Sequence, residues 1–197
     1  MPLEGYRAIF ISIALMGVLL FSLPTVGLIV QSPEGEAFSE IYMIGPDRTF
    51  ENIPFNVKTG VTYSVYLGVG NHMGQSGYYT CVVKLRNETE PLPNLKLGIP
   101  STLPALYEYT SFIKNGEVWE KILEFQINGL TFSDNKAEIS SITLNGLEFQ
   151  VNKVSMWNSN KTGYYYNLFV ELWSFDPDLG VSHFNNRSVH LVLNMTQ

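Results

Sequence analysis

Cysteine is almost absent from this chain: Cys81 is the only one among 197 residues. No intramolecular disulfide can form, so any domain here must be held by its hydrophobic core, and Cys81 reads as a small buried hydrophobe rather than a nucleophile. Charge is scarce too, at 15% of residues with a net charge of −6. No cluster of Lys and Arg supplies the electrostatic footprint for gripping nucleic acid or anionic lipid, which argues against a nucleic-acid partner.

Histidine is equally thin. His72, His183 and His190 are the whole supply, and none lies at a zinc-type spacing from another ligand. His183 and His190 are expected on neighbouring strands across a turn, a candidate metal pair set against the plainer reading of exposed strand or loop histidines. Glu171, Asp176 and Asp178 offer carboxylates for Ca²⁺. Their D-x-D-x-G spacing is shorter than a twelve-residue calcium loop, and an Asp-Pro turn explains it. There is no G-x-S-x-G, phosphate-cradling glycine loop or Cys-His arrangement. The expectation is no catalytic residue, no metal and no cofactor, and a protein that is not an enzyme.

What the chain does have is an uncharged apolar run from Ala8 to Val30. As a helix rising ~1.5 Å per residue it reaches about 35 Å, enough to span a hydrocarbon layer of about 30 Å. A cleaved secretory signal is the competing reading, but its apolar core is usually about 7–15 residues and ends in a small-x-small site. Val26 to Val30 offers no such site. A buried helix of a soluble protein needs a polar face, and Ser12 and Ser22, with Thr25 just after Pro24, are too few to make one. Pro24 is expected to kink or end the helix near its outer end. Arg7 and the terminal amine precede the run, whereas Glu34, Glu36 and Glu40 follow it. The positive-inside bias then places the N-terminus in the cytoplasm and residues 31–197 outside the cell, with residues 1–30 as cytoplasmic N-terminus and anchor. Asn87, Asn160, Asn186 and Asn194 each begin an N-x-S/T triplet and become candidate glycosylation sites on a translocated chain.

Beyond the anchor the pattern is β. Val61, Tyr63, Val65, Leu67 and Val69 alternate with smaller or polar residues, and so do Tyr79, Cys81, Val83 and Leu85. The glycine-rich stretch Gly70 to Gly77 between them is expected to close an antiparallel hairpin. Asn115-Gly116, Asn128-Gly129 and Asn145-Gly146 are further hairpin signals, because Asn-Gly accepts the positive φ angles of a tight turn. Glu117 to Phe125 fits helix or strand. Alternation returns around Tyr164 to Leu172, the Asp176 to Gly180 segment turns the chain, and Val189, Leu191 and Leu193 mark a last strand. Pro91, Pro93, Pro100 and Pro104 mark Glu90 to Pro104 as a long connection crossing between sheets. The fold class expected is all-β: a single N-terminal transmembrane helix followed by an immunoglobulin-like antiparallel β-sandwich over residues 31–197, enlarged by an extra hairpin. The outward-facing rings of Tyr165 and Trp173, and Asn71 with His72 in the glycine-rich loop, form the candidate binding patch.

Several segments resemble a known family. Ser32 to Asp47, SPEGEAFSEIYMIGPD, is similar to the P-x-G-E-x-F-T-E-F-Y-x-L-G-P motif that opens the extracellular domain of an uncharacterised archaeal membrane-protein family, classed as a domain of unknown function. Pro33, Gly35, Glu36, Phe38, Glu40, Tyr42, Gly45 and Pro46 match. Ser39 replaces Thr and Ile41 replaces Phe. The resemblance continues through Val65 to Leu85, where the family has a strand, an Asn-His step and a second strand, and resumes in GEVWEKILEF and in the closing strands. It covers most of residues 32–125 and 164–195, and implies a surface-facing β domain after membrane helices with residues 126–163, the extra hairpin, as an insertion. Relatives often have several such helices where this chain has one.

These features together lead to an expected non-catalytic, membrane-anchored cell-surface module that binds protein or glycan partners in the cell envelope. An accessory subunit of an envelope-assembly or transport complex is the alternative, and a surface glycan hydrolase is a further one.

Overall fold

A computed structural model describes residues 6–7, 9–18, 20 and 36–196. It comprises two compact units, residues 1–37 and 38–197. The described residues before position 21 are helical. Among the described residues no helix is long and apolar enough to cross a membrane. Residues 21–30 of the expected span, Pro24 included, lie outside the described residues.

The described residues of the second unit form ten strands: β1 (Phe38–Ile44), β2 (Asn56–Val57), β3 (Thr62–His72), β4 (Gly77–Asn87), β5 (Tyr107–Ile113), β6 (Val118–Ser133), β7 (Lys136–Leu144), β8 (Leu147–Met156), β9 (Tyr164–Asp176) and β10 (Val181–Met195). They make two five-stranded sheets, ordered β1-β3-β6-β7-β8 and β2-β10-β9-β4-β5. Pairing is antiparallel except where the short β2 runs parallel to the end of β10. Alternation explains the core. Val65, Leu67 and Val69 of β3 and Leu123, Phe125 and Ile127 of β6 meet Cys81, Val83 and Leu85 of β4 and Leu168, Val170 and Leu172 of β9 in one buried cluster. Each large side chain removed from water there contributes about 1.5–3 kcal/mol. The expected β-sandwich-like architecture is what the strands build.

Several local expectations are corrected. β3 and β4 do not form a hairpin; they lie in different sheets, and the glycine-rich loop arches across the core. Two strands with one buried face each satisfy the same alternation as neighbours or as opposites, and here a side chain holds the opposite arrangement. Asn71, fully buried, donates to the Gln75 and Ile113 carbonyls and accepts from the Met73 N–H and the Tyr79 hydroxyl, all within 3.1 Å. Asn115-Gly116 is a second arch, from β5 to β6, bonded to the first through Gly116 N–H to Asn71 O at 2.6 Å and Gly74 N–H to Asn115 Oδ1 at 2.8 Å. Asn128-Gly129 lies inside β6, where Gly129 takes φ 59° and its carbonyl accepts from Ser140 Oγ. Only Asn145-Gly146 makes the expected tight turn, with φ of 48° and 83° between the paired Leu144 and Leu147. Asp134-Asn135, at 45° and 62°, makes another between β6 and β7. Glu117 to Phe125 belongs to the β5–β6 arch and β6.

Residues 126–163, expected as an inserted hairpin, supply the far half of β6 with β7 and β8; Ile127, Ile139, Ile142 and Leu144 of this stretch are fully buried. The proline-rich connection is corrected as well. It joins β4 to β5, neighbours in one sheet, and lies over that sheet's outer face instead of crossing between sheets. Its hold is ionic: Lys84 Nζ donates to Glu171 Oε2 at 2.9 Å and to the Ser101 carbonyl at 2.7 Å, while the Ser101 N–H donates to Glu171 Oε1 at 2.6 Å. Both charged side chains are buried, Glu171 completely.

Candidate functional site

β1 lies along β3 with Phe38 opposite His72, Glu40 opposite Gly70 and Tyr42 opposite Gly68. These alternate positions point away from the core. Glycine at 68 and 70 opens a trough on that face: a Cβ on Gly68 would sit 2.1 Å from Tyr42 Cζ, and one on Gly70 2.5 Å from Glu40 Oε1. The Tyr42 ring therefore lies across the β3 backbone and reaches β6, where its hydroxyl donates to Glu120 Oε1 at 2.9 Å. Arg48 brings Nη2 to 3.7 Å from Glu120 Oε2 and its guanidinium carbon to 4.7 Å from the Tyr66 ring centre. It is held by a turn in which Gly45 N–H donates to Thr49 O and Arg48 N–H donates to Gly45 O. At the start of β1, Phe38 stacks on His72 with ring centres 4.7 Å apart, and His72 Nε2 is 3.5 Å from Glu40 Oε1.

Electrostatics on this face fix proton positions. Burial, the hydrogen bond to Glu120 and the charges of Glu120 and Glu40 push the Tyr42 phenol up to about 12, against a smaller opposing pull from Arg48. Tyr42 is thus a neutral donor at any physiological pH, already committed to Glu120. The face presents carboxylates, an imidazole stacked on a phenyl ring, and a guanidinium, in a shallow layer open to solvent. Such a surface suits recognition by hydrogen bonds and stacking. Among the described residues no group of three or more His, Cys, Asp or Glu side chains is placed to hold a metal ion.

Of the residues expected in a binding patch, only His72 belongs to this face. Asn71, its neighbour in sequence, points the other way and serves the arch. Tyr165 is 6% exposed, lying 5.3 Å beneath the Lys161 ammonium with its hydroxyl bonded to the Lys161 carbonyl. Trp173 lies on the outer face of the second sheet, bonded to Glu171 at 3.3 Å and 6.0 Å from Phe184. The Tyr165–Trp173 patch is therefore corrected, because side chains packed on that sheet cover Tyr165. His183 and His190 both lie on β10, one strand instead of two, and His183 Nε2 is 3.2 Å from Ser174 Oγ. Asp176 Oδ1 accepts from the Asp178 and Leu179 N–H groups, which is turn chemistry. Cys81 is buried and its thiol is pushed up to about 12 by desolvation. Among the triplet asparagines, Asn160 and Asn186 are exposed, whereas Asn87 donates to Val154 O and Asn194 to Asn56 Oδ1.

Sequence reasoning missed Glu40, Tyr42, Arg48 and Glu120 as a group. The available signal was two glycines at alternate positions in an otherwise apolar strand, which marks a close approach from one face.

The family model described as Domain of unknown function (DUF1616) matches residues 32–139, more than half of the chain. The chain belongs to this family. The DUF1616 match takes in β1, β3 and β6, the three strands that carry the face just described, and stops short of β8, β9 and β10. No curated protein matches the chain. Similar solved structures include the beta-glucosidase from Listeria innocua in complex with gluconolactone, at TM-score 0.41 and 9% identity over 82% of this chain and 16% of that one. Another is PapD-like domain 7 of human CEP192, at TM-score 0.32 and 10% identity over 85% and 89%. The chain thus spans about a sixth of the glucosidase, and likeness this loose bears on no activity.

Proposed function

We propose that this protein is a non-catalytic binding module held at the cell surface, with residues 8–30 as a single anchor, the N-terminus in the cytoplasm and the β domain outside. Its partner is a protein or glycan of the cell envelope. The observation that carries this reading is the meeting of three family-like segments on adjacent strands: the opening motif on β1, the Gly-Val-Gly-Asn-His run on β3 and the Glu-Val-Trp-Glu run on β6. Glycines 68 and 70 clear space for Tyr42 and Glu40, which spreads polar and aromatic groups outward while leaving the core intact. An anchor raises local concentration, so modest affinity on this face suffices for stable engagement.

A photo-crosslinking residue at Ile122, exposed on β6 beside Glu120, tests the reading in native membranes of intact cells. The expected result is a discrete adduct that disappears in the Glu40→Gln, His72→Ala variant. Crosslinking equally strong from Leu147 on β8 would overturn the assignment of this face. Resistance of the C-terminal domain to protease added outside would overturn the topology.

A further inference from the structure

The end of the domain at which β1 begins carries several exposed apolar side chains. Strand register places there the start of β1, the β3–β4 and β5–β6 arches and the β9–β10 hairpin. Phe38, Met73, Tyr78, Phe112, Phe175 and Leu179 all lie at this end and are all exposed, Phe112 by 65% and Leu179 by 73%. Tyr78 and Phe112 are directly opposite each other on β4 and β5, and Phe175 follows on β9 one step beyond the Tyr79–Ser174 pair, so these three form a row on the outer face of the second sheet, with Phe38 on the outer face of the first. Soluble domains scatter such residues singly; a cluster marks an interaction surface.

Chain length says what covers it. Seven residues, Gln31 to Ala37, separate the apolar run from Phe38, and even fully extended they reach only about 25 Å. We infer that this end of the domain rests on the bilayer, its aromatic and aliphatic side chains seated in the headgroup layer. The inference depends on the anchor proposed above. Aromatic rings favour that layer, where an apolar body and a wet rim are both accommodated. Asp176 and Asp178 beside Leu179, with the exposed Lys114–Glu117 ion pair at 3.3 Å in the neighbouring arch, limit the depth, because charged groups stay hydrated. The lipid recognised is therefore neutral hydrocarbon interface, with no call for anionic headgroups. A domain seated this way holds the far ends of β6, β7 and β8 away from the membrane.

The test uses the full chain in phosphatidylcholine vesicles. Single substitutions Phe112→Cys, Leu179→Cys, Asn135→Cys and Lys161→Cys are labelled with an environment-sensitive fluorophore; the native Cys81 thiol is buried and stays unlabelled in the folded protein. A headgroup-bound nitroxide should quench positions 112 and 179 several-fold more than 135 and 161, which lie in the β6–β7 and β8–β9 turns. Equal quenching at all four positions, with the protein still floating with vesicles, overturns the inference and leaves the anchor standing. Failure to float overturns the anchor, and the inference with it. As a second measurement, Phe112→Ser, Phe175→Ser and Leu179→Ser together should preserve flotation and abolish quenching of a label at Met73→Cys; retained quenching would count against the inference.

Discussion

At Gly68 one absent methyl group decides how two strands present their side chains. A Cβ there would fall inside the Tyr42 ring, so Gly68→Ala must lift the ring off β3 and break its bond to Glu120. Overpacking of this kind costs about 1–3 kcal/mol, and denaturant titration should read that loss. Tyr42→Phe keeps the ring and removes only the hydroxyl, so about 1 kcal/mol is expected. If Gly68→Ala were as mild as Tyr42→Phe, the ring would have somewhere else to go. Cys81 gives a second residue-scale prediction. Desolvation raises its thiol, and the thiolate is the reactive species. A thiol-exchange reagent at neutral pH should find no reactive sulfur in the folded protein and one per chain after unfolding.

Among the elements, the proline-rich connection depends most on a few atoms. Its backbone at Ser101 is tied at both N–H and carbonyl to the buried Lys84–Glu171 pair. Lys84→Ala leaves Glu171 buried without its counter-ion, only the Ser101 N–H and the Trp173 indole still donating to it, an arrangement that costs about 3–5 kcal/mol. Replacing both charges, as in Lys84→Met with Glu171→Leu, removes the uncompensated charge and should recover most of that stability while still losing the latch. Limited proteolysis within residues 92–100 separates the two effects: the double variant should be cut faster than wild type even where its unfolding midpoint is close to normal. This latch also marks where sequence stopped being informative. Alternation in β3, β4, β9 and β10 identified the side chains that face the core, but not that the outer face of β4 and β9 is covered as well, which buries Lys84, Tyr165, Phe169 and Glu171. It carried no information on partners, so the β3–β4 arch read as a hairpin. Asn-Gly specified positive φ at all three sites, and at two of them the chain used it for an arch and for an irregularity within a strand. The candidate site was half legible in the same sense. The motif residues Phe38, Glu40 and Tyr42 stood out in the sequence, but their alignment over Gly68 and Gly70 is a property of register, which the sequence of one strand cannot state.

For the whole molecule, the raised phenols and thiol set an alkaline limit on stability. Tyr42 and Tyr109 move from 10.0 to about 12, Tyr166 moves the same way, and Cys81 moves from 9.0 to about 12. Desolvation is the leading cause in each. The protonated form is favoured in the folded state, so above pH 9–10 the unfolded chain releases protons that the folded chain keeps. Stability from these groups is therefore fully present below their unfolded values, near 9 for the thiol and 10 for the phenols, and is lost as pH climbs through about 12. Urea midpoints should stay level in this respect up to about pH 9 and then fall steeply. Absorbance at 295 nm supplies the discriminating measurement. The four raised rings, Tyr42, Tyr79, Tyr109 and Tyr166, should ionise in a cooperative step coincident with loss of the β circular-dichroism signal. Ionisation of Tyr109 and Tyr166 with the β signal intact would mean that these rings are not packed against the core, and that desolvation does not hold their phenols up.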